Sequence, residues 1–593
     1  MDTHSSYQSL LALLDSLAEK TPERDMYTFI GDDGQVVATL NCHEIWLRAQ
    51  QIAHGLLVRH HLSPGDCVLL VYPPGLAFVE ALLGCLYAGI IPVPVPPPMP
   101  VNPEAGLSGY TARAIDCKAV AQLTNEPYST SRTFGRIRQA LTFGTKWPKL
   151  PWIVTDRLHG DASVPPLVAK ENDIAFLQYT SGSTRAPRGV CITYGNIWDQ
   201  IVLNRVELDM SAEARSLIWM PHYHDFTLIS GILNAAAGNN QLIMFSPMGF
   251  LRRPALWGEL LHRFQATHTA APDFGYKLFT QRTTAEERAA WDLSSLRVVM
   301  SAAEPIHAHT VDAFLNSFAS SGLNPAAFCP AYGLAEHTVT VSVWGRQRFQ
   351  VDRDALEQQL LLKPAGKHVP SIELFGCGAP SRGVDLQIVD PIHLTPLPCD
   401  QIGEIWVNSP SKAQGYFSHP DETAFKFAAR LTQELTENTT TAPSWLRTGD
   451  LGALYHGEIV VVGRLDDMIV LGGRNVFPQD IEYIIGSCDP RIKPGRVIAF
   501  GTQSLAEQES ELVAVFELRA QSPNSSELSA VGQIIRVSLQ QELGLTKITL
   551  VFAQQGSVPK TTSGKLQRKK CCADWMSGII PCLKVDRGVF GSL

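Results

Sequence analysis

Apolar residues recur along this chain with two different periods. Near the start, Leu10, Leu14 and Leu17 fall on one face of a helix, which predicts a first amphipathic helix over Tyr7–Glu19. Further on, short continuous apolar runs replace that spacing. Val68–Val71, Ile174–Leu177, Ser216–Met220, Leu242–Phe245, Leu296–Met300, Leu386–Val389 and Glu404–Val407 predict buried strands. Segments of helical composition lie among them, including Phe78–Tyr87 and Trp257–Phe264. Pro73–Gly75 punctuates the first strand–helix pair, and Ile90–Val95 leads into the proline-rich run Pro92–Pro100. This alternation predicts α/β layers.

The pattern changes after Glu458–Val462. Gly463–Asp467 reads as the close of one domain. Ile469–Val470, a helix starting over Pro478–Ile485, strands at Leu512–Leu518 and Ile548–Phe552, and a helix over Leu528–Leu543 suit a small α+β unit. The predicted architecture is a large α/β domain with layered sheets and helices over 1–465 and a small, mobile α+β domain over 466–593. Arg346–Pro370 stands apart as a polar block with little strand pattern, in which Asp354–Leu361 could form a helix; it reads as an insertion. The tail after Lys570 carries Trp575, Met576, Cys571, Cys572 and Cys582, and reads equally as a packed extension or a loose end.

Composition narrows the class. At 593 residues the chain exceeds one ordinary hydrophobic core. With 45% hydrophobic and 18% charged residues it is globular in composition. A formal charge of −8 gives no gross bias toward nucleic acid. No basic segment precedes an early apolar run, and Ala81–Val95 is interrupted by prolines and too short to span a bilayer. The 12 cysteines lack paired metal-ligand spacing. A cytoplasmic protein with reduced thiols and no transmembrane segment is the expectation.

The densest local chemistry is the segment Tyr179-Thr180-Ser181-Gly182-Ser183-Thr184-Arg185-Ala186-Pro187-Arg188-Gly189-Val190. Small residues let successive backbone N–H groups approach phosphate oxygens, hydroxyls add donors, and Arg185 or Arg188 can offset phosphate charge. The lysine and spacing of a Walker A loop are absent. On composition alone a solvated surface turn fits as well.

This segment resembles the phosphate loop of the adenylate-forming enzymes: acyl-CoA synthetases, luciferases and peptide-synthetase adenylation domains. Other motifs follow in the family's order. Tyr332-Gly333-Leu334-Ala335-Glu336 is similar to its adenine and metal segment, and Thr448-Gly449-Asp450-Leu451 to its ribose-binding segment. Gly463-Arg464-Leu465-Asp466-Asp467 resembles its hinge, and Pro559-Lys560-Thr561-Thr562-Ser563-Gly564-Lys565-Leu566 its catalytic-lysine loop. Ala302-Ala303-Glu304-Pro305 resembles the Gly-Ala-Glu-Pro adenine segment, with alanine in place of glycine at 302. The likeness runs from about Leu10 to Lys570.

Four details resemble the fatty acyl-AMP ligases in particular. They are Arg185 and Arg188 in the phosphate loop, Tyr223-His224-Asp225, the segment Gly473–Glu482, and the insertion Arg346–Pro370. In those ligases the insertion restrains the small domain and disfavours reaction with coenzyme A. The resemblance implies ATP and Mg²⁺ as cofactors, a fatty acid substrate, and a separate acyl carrier protein as acceptor. It assigns Lys565 and His224 to catalysis. Thr180, Ser181, Gly182, Ser183, Thr184 and Arg188 would bind phosphate; Ala303, Glu304, Tyr332, Gly333, Asp450 and Arg464 adenine and ribose; Glu336 magnesium. Asp466 is the implied hinge, although many of these ligases carry lysine there.

Taken singly these residues have plainer explanations. Lys565 precedes the basic run Arg568-Lys569-Lys570 and would read as solvated, Asp450 as a turn aspartate, Arg464 as a surface residue, Tyr332 as a core aromatic, His224 as structural. The apolar stretches Leu228–Leu233, Phe245–Leu251 and Phe274–Phe279 could line an acyl tunnel, but ordinary core is the favoured assignment. No Gly-x-Ser-x-Gly elbow supports hydrolysis. A fatty acyl-CoA synthetase is the competing enzyme, and a weakly catalytic nucleotide-binding paralogue the competing class.

Overall fold

The computed structural model describes residues 7–99, 104–139, 147–160, 168–179, 187–432, 444–471, 474–503, 510–561 and 564–587. The large domain is built on two sheets of mainly parallel strands. The first runs in the order Phe328–Pro330, Val298–Ser301, His268–Ala271, Arg215–Ile218, Gln241–Phe245, Asp25–Ile30, Val36–Asn41; only the last pair is antiparallel. The second places Ile91–Pro94, Cys67–Leu70, Ala121–Thr124 and Trp152–Val154 side by side, all parallel. Strands covered on both faces need side chains that are apolar throughout, which is why they read as continuous runs. Pro92 and Pro94 are tolerated because their strand is at the sheet edge.

The helix Leu76–Ala88 is apolar all round except at Glu80 and almost wholly buried, as a helix enclosed by other elements must be. Its Gly84 permits close approach of the helix Cys42–His54: a Cβ there would stand 2.6 Å from Ile52 Cγ2. A four-stranded antiparallel sheet follows, formed by Asp385–Val389, Gly403–Asn408, Leu446–Tyr455 and Glu458–Arg464.

The segment read as an insertion holds more strand than its polarity suggested. Arg348–Asp352 pairs antiparallel with Ser371–Phe375, and Arg353–Gln359 is a helix between them. Alternation explains the missed strand: Phe349 and Val351 face inward while Arg348 and Gln350 are exposed. Phe349, Val351, Leu356 and Leu362 share a core with Leu451, Val460 and Val462 of the antiparallel sheet and with Phe477.

The carboxy-terminal domain is smaller and α+β. Ile492–Gln503, Ser510–Leu518, Thr549–Ala553 and Cys582–Asp586 form one mixed sheet, the central pair parallel. Helices Pro478–Cys488 and Ser525–Leu543 contribute to the core on one face. The second starts with a capping box between Asn524 and Glu527 and stops at left-handed Gly544. Helix Arg568–Met576 covers the other face with Cys571 fully buried, and Cys582–Asp586 adds an edge strand, so the tail is a packed extension over its described residues, to Arg587. Among the described residues no helix is long and apolar enough to cross a membrane.

Candidate active site

The strand pair Leu446–Tyr455 and Glu458–Arg464 brings Asp450 directly opposite Arg464. Arg464 Nε lies 3.6 Å from Asp450 Oδ1, and the Tyr332 hydroxyl donates to Asp450 Oδ2 at 2.7 Å. Asp450 raises the Arg464 guanidinium above its ordinary value. Burial, then Asp450, pushes the Tyr332 phenol far up, so Tyr332 stays a neutral donor. The turn carrying Asp450 is fixed from below. Buried Glu404 takes Arg447 at 2.7 Å through one oxygen and the Gly449 N–H at 3.1 Å through the other. The Asp450 N–H donates to Thr448 Oγ1, which itself donates to the Ile405 carbonyl.

Tyr332 and Gly333 form a short strand against Thr340–Ser342. A Cβ on Gly333 would lie 1.9 Å from the Val339 carbonyl oxygen, so no side chain fits. The chain then turns through Thr338 at φ 62°, ψ −64°, closed by the Val339 N–H on the His337 carbonyl. This is a γ-turn, a strained conformation for a β-branched residue. It is held by Thr338 Oγ1 on the Ser411 carbonyl at 2.6 Å and by buried His337, whose Nε2 meets Ser409 Oγ at 2.7 Å. Backbone strain maintained in this way clusters at functional sites.

That turn presents Glu336. Its Oε1 accepts the Tyr416 hydroxyl at 2.8 Å and Lys426 Nζ at 2.7 Å. Burial opposes the charge, yet Lys426 and Tyr416 hold the carboxyl below its ordinary range. Among the described residues no group of three or more His, Cys, Asp or Glu side chains is arranged for a metal. One ionised carboxylate fits Mg²⁺ taken largely by nucleotide phosphates and water rather than by a protein cage.

Tyr223, His224 and Asp225 follow the strand Arg215–Ile218, at its carboxyl end. His224 Nδ1 lies 2.6 Å from Asp225 Oδ1, and the Phe226 N–H donates to the same carboxylate oxygen at 2.7 Å. Burial works to raise the Asp225 carboxyl, but His224 and Lys565 outweigh it and hold it down to about 2. Glu304 accepts the Phe274 N–H at 3.2 Å. Burial pushes its carboxyl up, while Lys565 and Lys560 act against the shift. The ammonium of Lys565 therefore lies within electrostatic reach of two large-domain carboxylates. Beside Glu304, Ala303 is exposed at φ 71°, a left-handed conformation uncommon for alanine.

In the phosphate loop, Thr180, Ser181, Gly182, Ser183 and Thr184 lie outside the described residues. Their flanks, Ile174–Tyr179 and Gly189–Thr193, pair antiparallel with Tyr179 opposite Gly189. Arg188 has a partner the sequence did not suggest. Its Nε lies 2.9 and 2.8 Å from the two oxygens of Glu422. An arginine expected to serve phosphate is thus also engaged by a carboxylate, whose charge it offsets.

Asp466, the implied hinge, is exposed and paired with Lys569 at 2.7 Å, while Asp467 pairs with Arg568 at 2.8 Å. The run Arg568-Lys569-Lys570 is wholly ion-paired, Lys570 with Asp574. The apolar stretches weighed as tunnel walls sit in core. Leu228, Ile229, Ile232 and Leu233 are fully buried, and Trp219 stacks on Phe250 at 3.9 Å. Met248 and Leu251, however, are about half exposed.

Sequence reasoning missed Glu404, Tyr416, Lys426, Glu422 and Glu357. None carries a motif, because each acts across a long loop closure on a residue that does. The nearest signals were the run Glu404–Val407, which begins at Glu404, and the helix expected over Asp354–Leu361, which contains Glu357.

Comparison with known proteins shows the family. The AMP-binding enzyme family matches residues 14–417, and the Disco-interacting protein 2-like AMP domain matches residues 466–585. A medium-chain-fatty-acid–[acyl-carrier-protein] ligase of Moorena producens is 32% identical over 97% of this chain and 96% of its own. A long-chain-fatty-acid–AMP ligase of Mycobacterium marinum is 32% identical over 96% of this chain and 97% of its own. The crystal structure of a fatty acid AMP ligase from Legionella pneumophila superposes with a TM-score of 0.72 at 31% identity, covering 99% of each chain.

Proposed function

Because the chain belongs to the AMP-binding enzyme family and is a fatty acyl-AMP ligase within it, we propose that it passes the acyl group of its acyl-adenylate to the phosphopantetheine thiol of a separate acyl carrier protein. The observation that carries this proposal is the join between insertion and small domain. Arg474 is ion-paired with Glu357 of the insertion helix, and Asn475 Nδ2 donates to the Glu357 carbonyl at 2.8 Å. In the ligases this chain resembles the insertion disfavours reaction with coenzyme A, and the Glu357 contacts are what tie the insertion to the small domain here.

In the adenylation step the substrate carboxylate attacks the α-phosphorus of ATP, and pyrophosphate leaves. Negative charge builds on phosphoryl oxygens, so the step needs fixed cations and donors more than a base. Lys565 would bridge carboxylate and α-phosphate. His224, with its ring beside ionised Asp225, would stand near the acyl carboxylate. Thr180, Ser181, Gly182, Ser183, Thr184 and Arg188 would hold the β- and γ-phosphates. Asp450 and Arg464 would take the ribose, and Tyr332, Gly333, Ala303 and Glu304 the adenine. Magnesium, held through Glu336 and the phosphates, would neutralise pyrophosphate charge. Asp466, at the 465/466 boundary, would be the hinge between adenylation and transfer.

A product assay tests the acceptor. Labelled fatty acid and ATP are supplied with either holo-carrier protein or coenzyme A. Acyl-carrier formation is expected, with little acyl-CoA; efficient acyl-CoA formation identifies an acyl-CoA synthetase instead.

A further inference from the structure

The loop that carries Lys565 is closed on itself and held at both feet. Lys560 and Leu566 form an antiparallel bridge. The Thr561 N–H donates to the Lys565 carbonyl at 2.8 Å, the Lys565 N–H to Thr561 Oγ1 at 3.0 Å, and the Gln567 N–H to the Pro559 carbonyl at 3.1 Å. At the first foot, Val558 has both backbone groups taken. Its N–H donates to Glu517 Oε1 at 3.0 Å, and its carbonyl accepts Arg496 Nη1 at 3.0 Å. Glu517 is fully buried and faces Lys493 at 3.3 Å.

The second foot is Arg568. Its Nε and Nη2 each meet one oxygen of Glu482 at 2.7 Å, a bidentate pair. Its third donor, Nη1, meets Asp467 Oδ2 at 2.8 Å. Glu482 is buried in helix Pro478–Cys488 and also accepts the Ala499 N–H at 3.1 Å. Asp467 immediately follows Asp466 in the turn that leaves strand Glu458–Arg464. One guanidinium, three residues beyond Lys565, therefore spans the body of the small domain and the turn about which it would swing. Lysine could not do this, because it lacks the planar fork that reaches both carboxylates at once.

We propose that Arg568 is a positioning residue for adenylation: it locks the Lys565 loop to the hinge turn, so that rotation about Asp466 delivers the Lys565 ammonium as part of a rigid body. This rests on the roles given above to Lys565 and Asp466. Lys565 is used when the acyl–phosphate bond forms and is not needed once acyl-AMP exists. Loosening its loop must therefore slow the first half-reaction selectively.

The test measures acyl-AMP formation from ATP and fatty acid in a single turnover. Transfer from supplied acyl-AMP to whichever thiol the enzyme accepts is measured separately, and thermal unfolding alongside. Arg568→Gln is expected to slow acyl-AMP formation by about tenfold or more, since misplacing a reacting group by about 1 Å can cost about 100-fold. Transfer should stay within about twofold. Arg568→Lys, which keeps the charge without the fork, should fall between. Asp467→Ala, which cuts only the link to the hinge turn and leaves the Glu482 pair, should show the same selective loss to a smaller degree, and it decides the matter if Arg568→Gln does not fold. Equal loss of both half-reactions, or loss of neither, in folded protein overturns the proposal. Lys565→Ala is run in parallel. If it loses adenylation while the Arg568 and Asp467 variants do not, the coupling alone is wrong; if it retains adenylation, the role of Lys565 falls and the proposal with it.

Discussion

Single residues in this protein answer to two demands, holding a turn and offering a charge. Asp450 does both, accepting Tyr332 while facing Arg464. Asp450→Asn is expected to raise KM for ATP by about 10- to 100-fold, the scale of a lost charged hydrogen bond of about 1.5–3 kcal/mol. Initial-rate kinetics with varied ATP measure it. Gly333→Ala presses a methyl into the Val339 carbonyl and should destabilise the fold by about 1–3 kcal/mol or more, seen in denaturant unfolding together with weaker ATP binding. Burial pushes the His268 imidazole down to about 4, its Nε2 resting 2.7 Å from the Leu208 carbonyl. Its folded value is below the unfolded one of about 6.5. The stability it lends is therefore complete above that unfolded value and is lost as pH falls toward the folded one. In His268→Gln the gap between melting temperatures at neutral and mildly acidic pH should shrink; an unchanged gap rules His268 out as a source of acid sensitivity.

At the scale of elements, strands were legible where burial on both faces made them apolar throughout, as in Leu242–Phe245. They were missed where only alternate side chains are buried in a polar stretch, as in Arg348–Asp352. The helix Arg353–Gln359 was anticipated, but its role as a clasp was not, because Glu357 meets Arg474 only after the chain has travelled 117 residues. Glu357→Ala removes the carboxylate from that clasp and should raise coenzyme A-dependent thioester formation by about tenfold, equivalent to about 1.4 kcal/mol in the balance between domain poses. A coenzyme A thioester assay of the folded variant decides this, and an unchanged rate removes the clasp as the restraint. The Lys565 loop behaves likewise: its motif is continuous in sequence, but its anchors at Glu517, Glu482 and Asp467 are not.

For the whole molecule, the question is how one small domain serves two half-reactions. Lys565 acts electrostatically on Asp225 and Glu304, which belong to the large domain, as its proposed role in adenylation requires. At the domain contact, Tyr483 stacks on His307 at 4.6 Å and meets His309 at 4.9 Å with the rings tilted by 47°. Asp466→Pro fixes one backbone angle at the turn and should spare one half-reaction while slowing the other, on separate adenylation and transfer assays. Equal loss of both in a folded protein argues against a hinge there.

Fold class and the order of site motifs were set by the sequence, because hydrophobic period and short contiguous motifs are local properties. Asp450, Arg464, Glu336 and Lys565 were named as candidates by the resemblance of their motifs, each within its own segment. Only the tertiary structure decided what holds them. Glu404 under Asp450, Lys426 and Tyr416 on Glu336, Glu422 on Arg188, and Glu357 on Arg474 are pairings between distant segments. A charged side chain's partner depends on which surfaces folding brings within about 3 Å, and nothing in the local pattern encodes that.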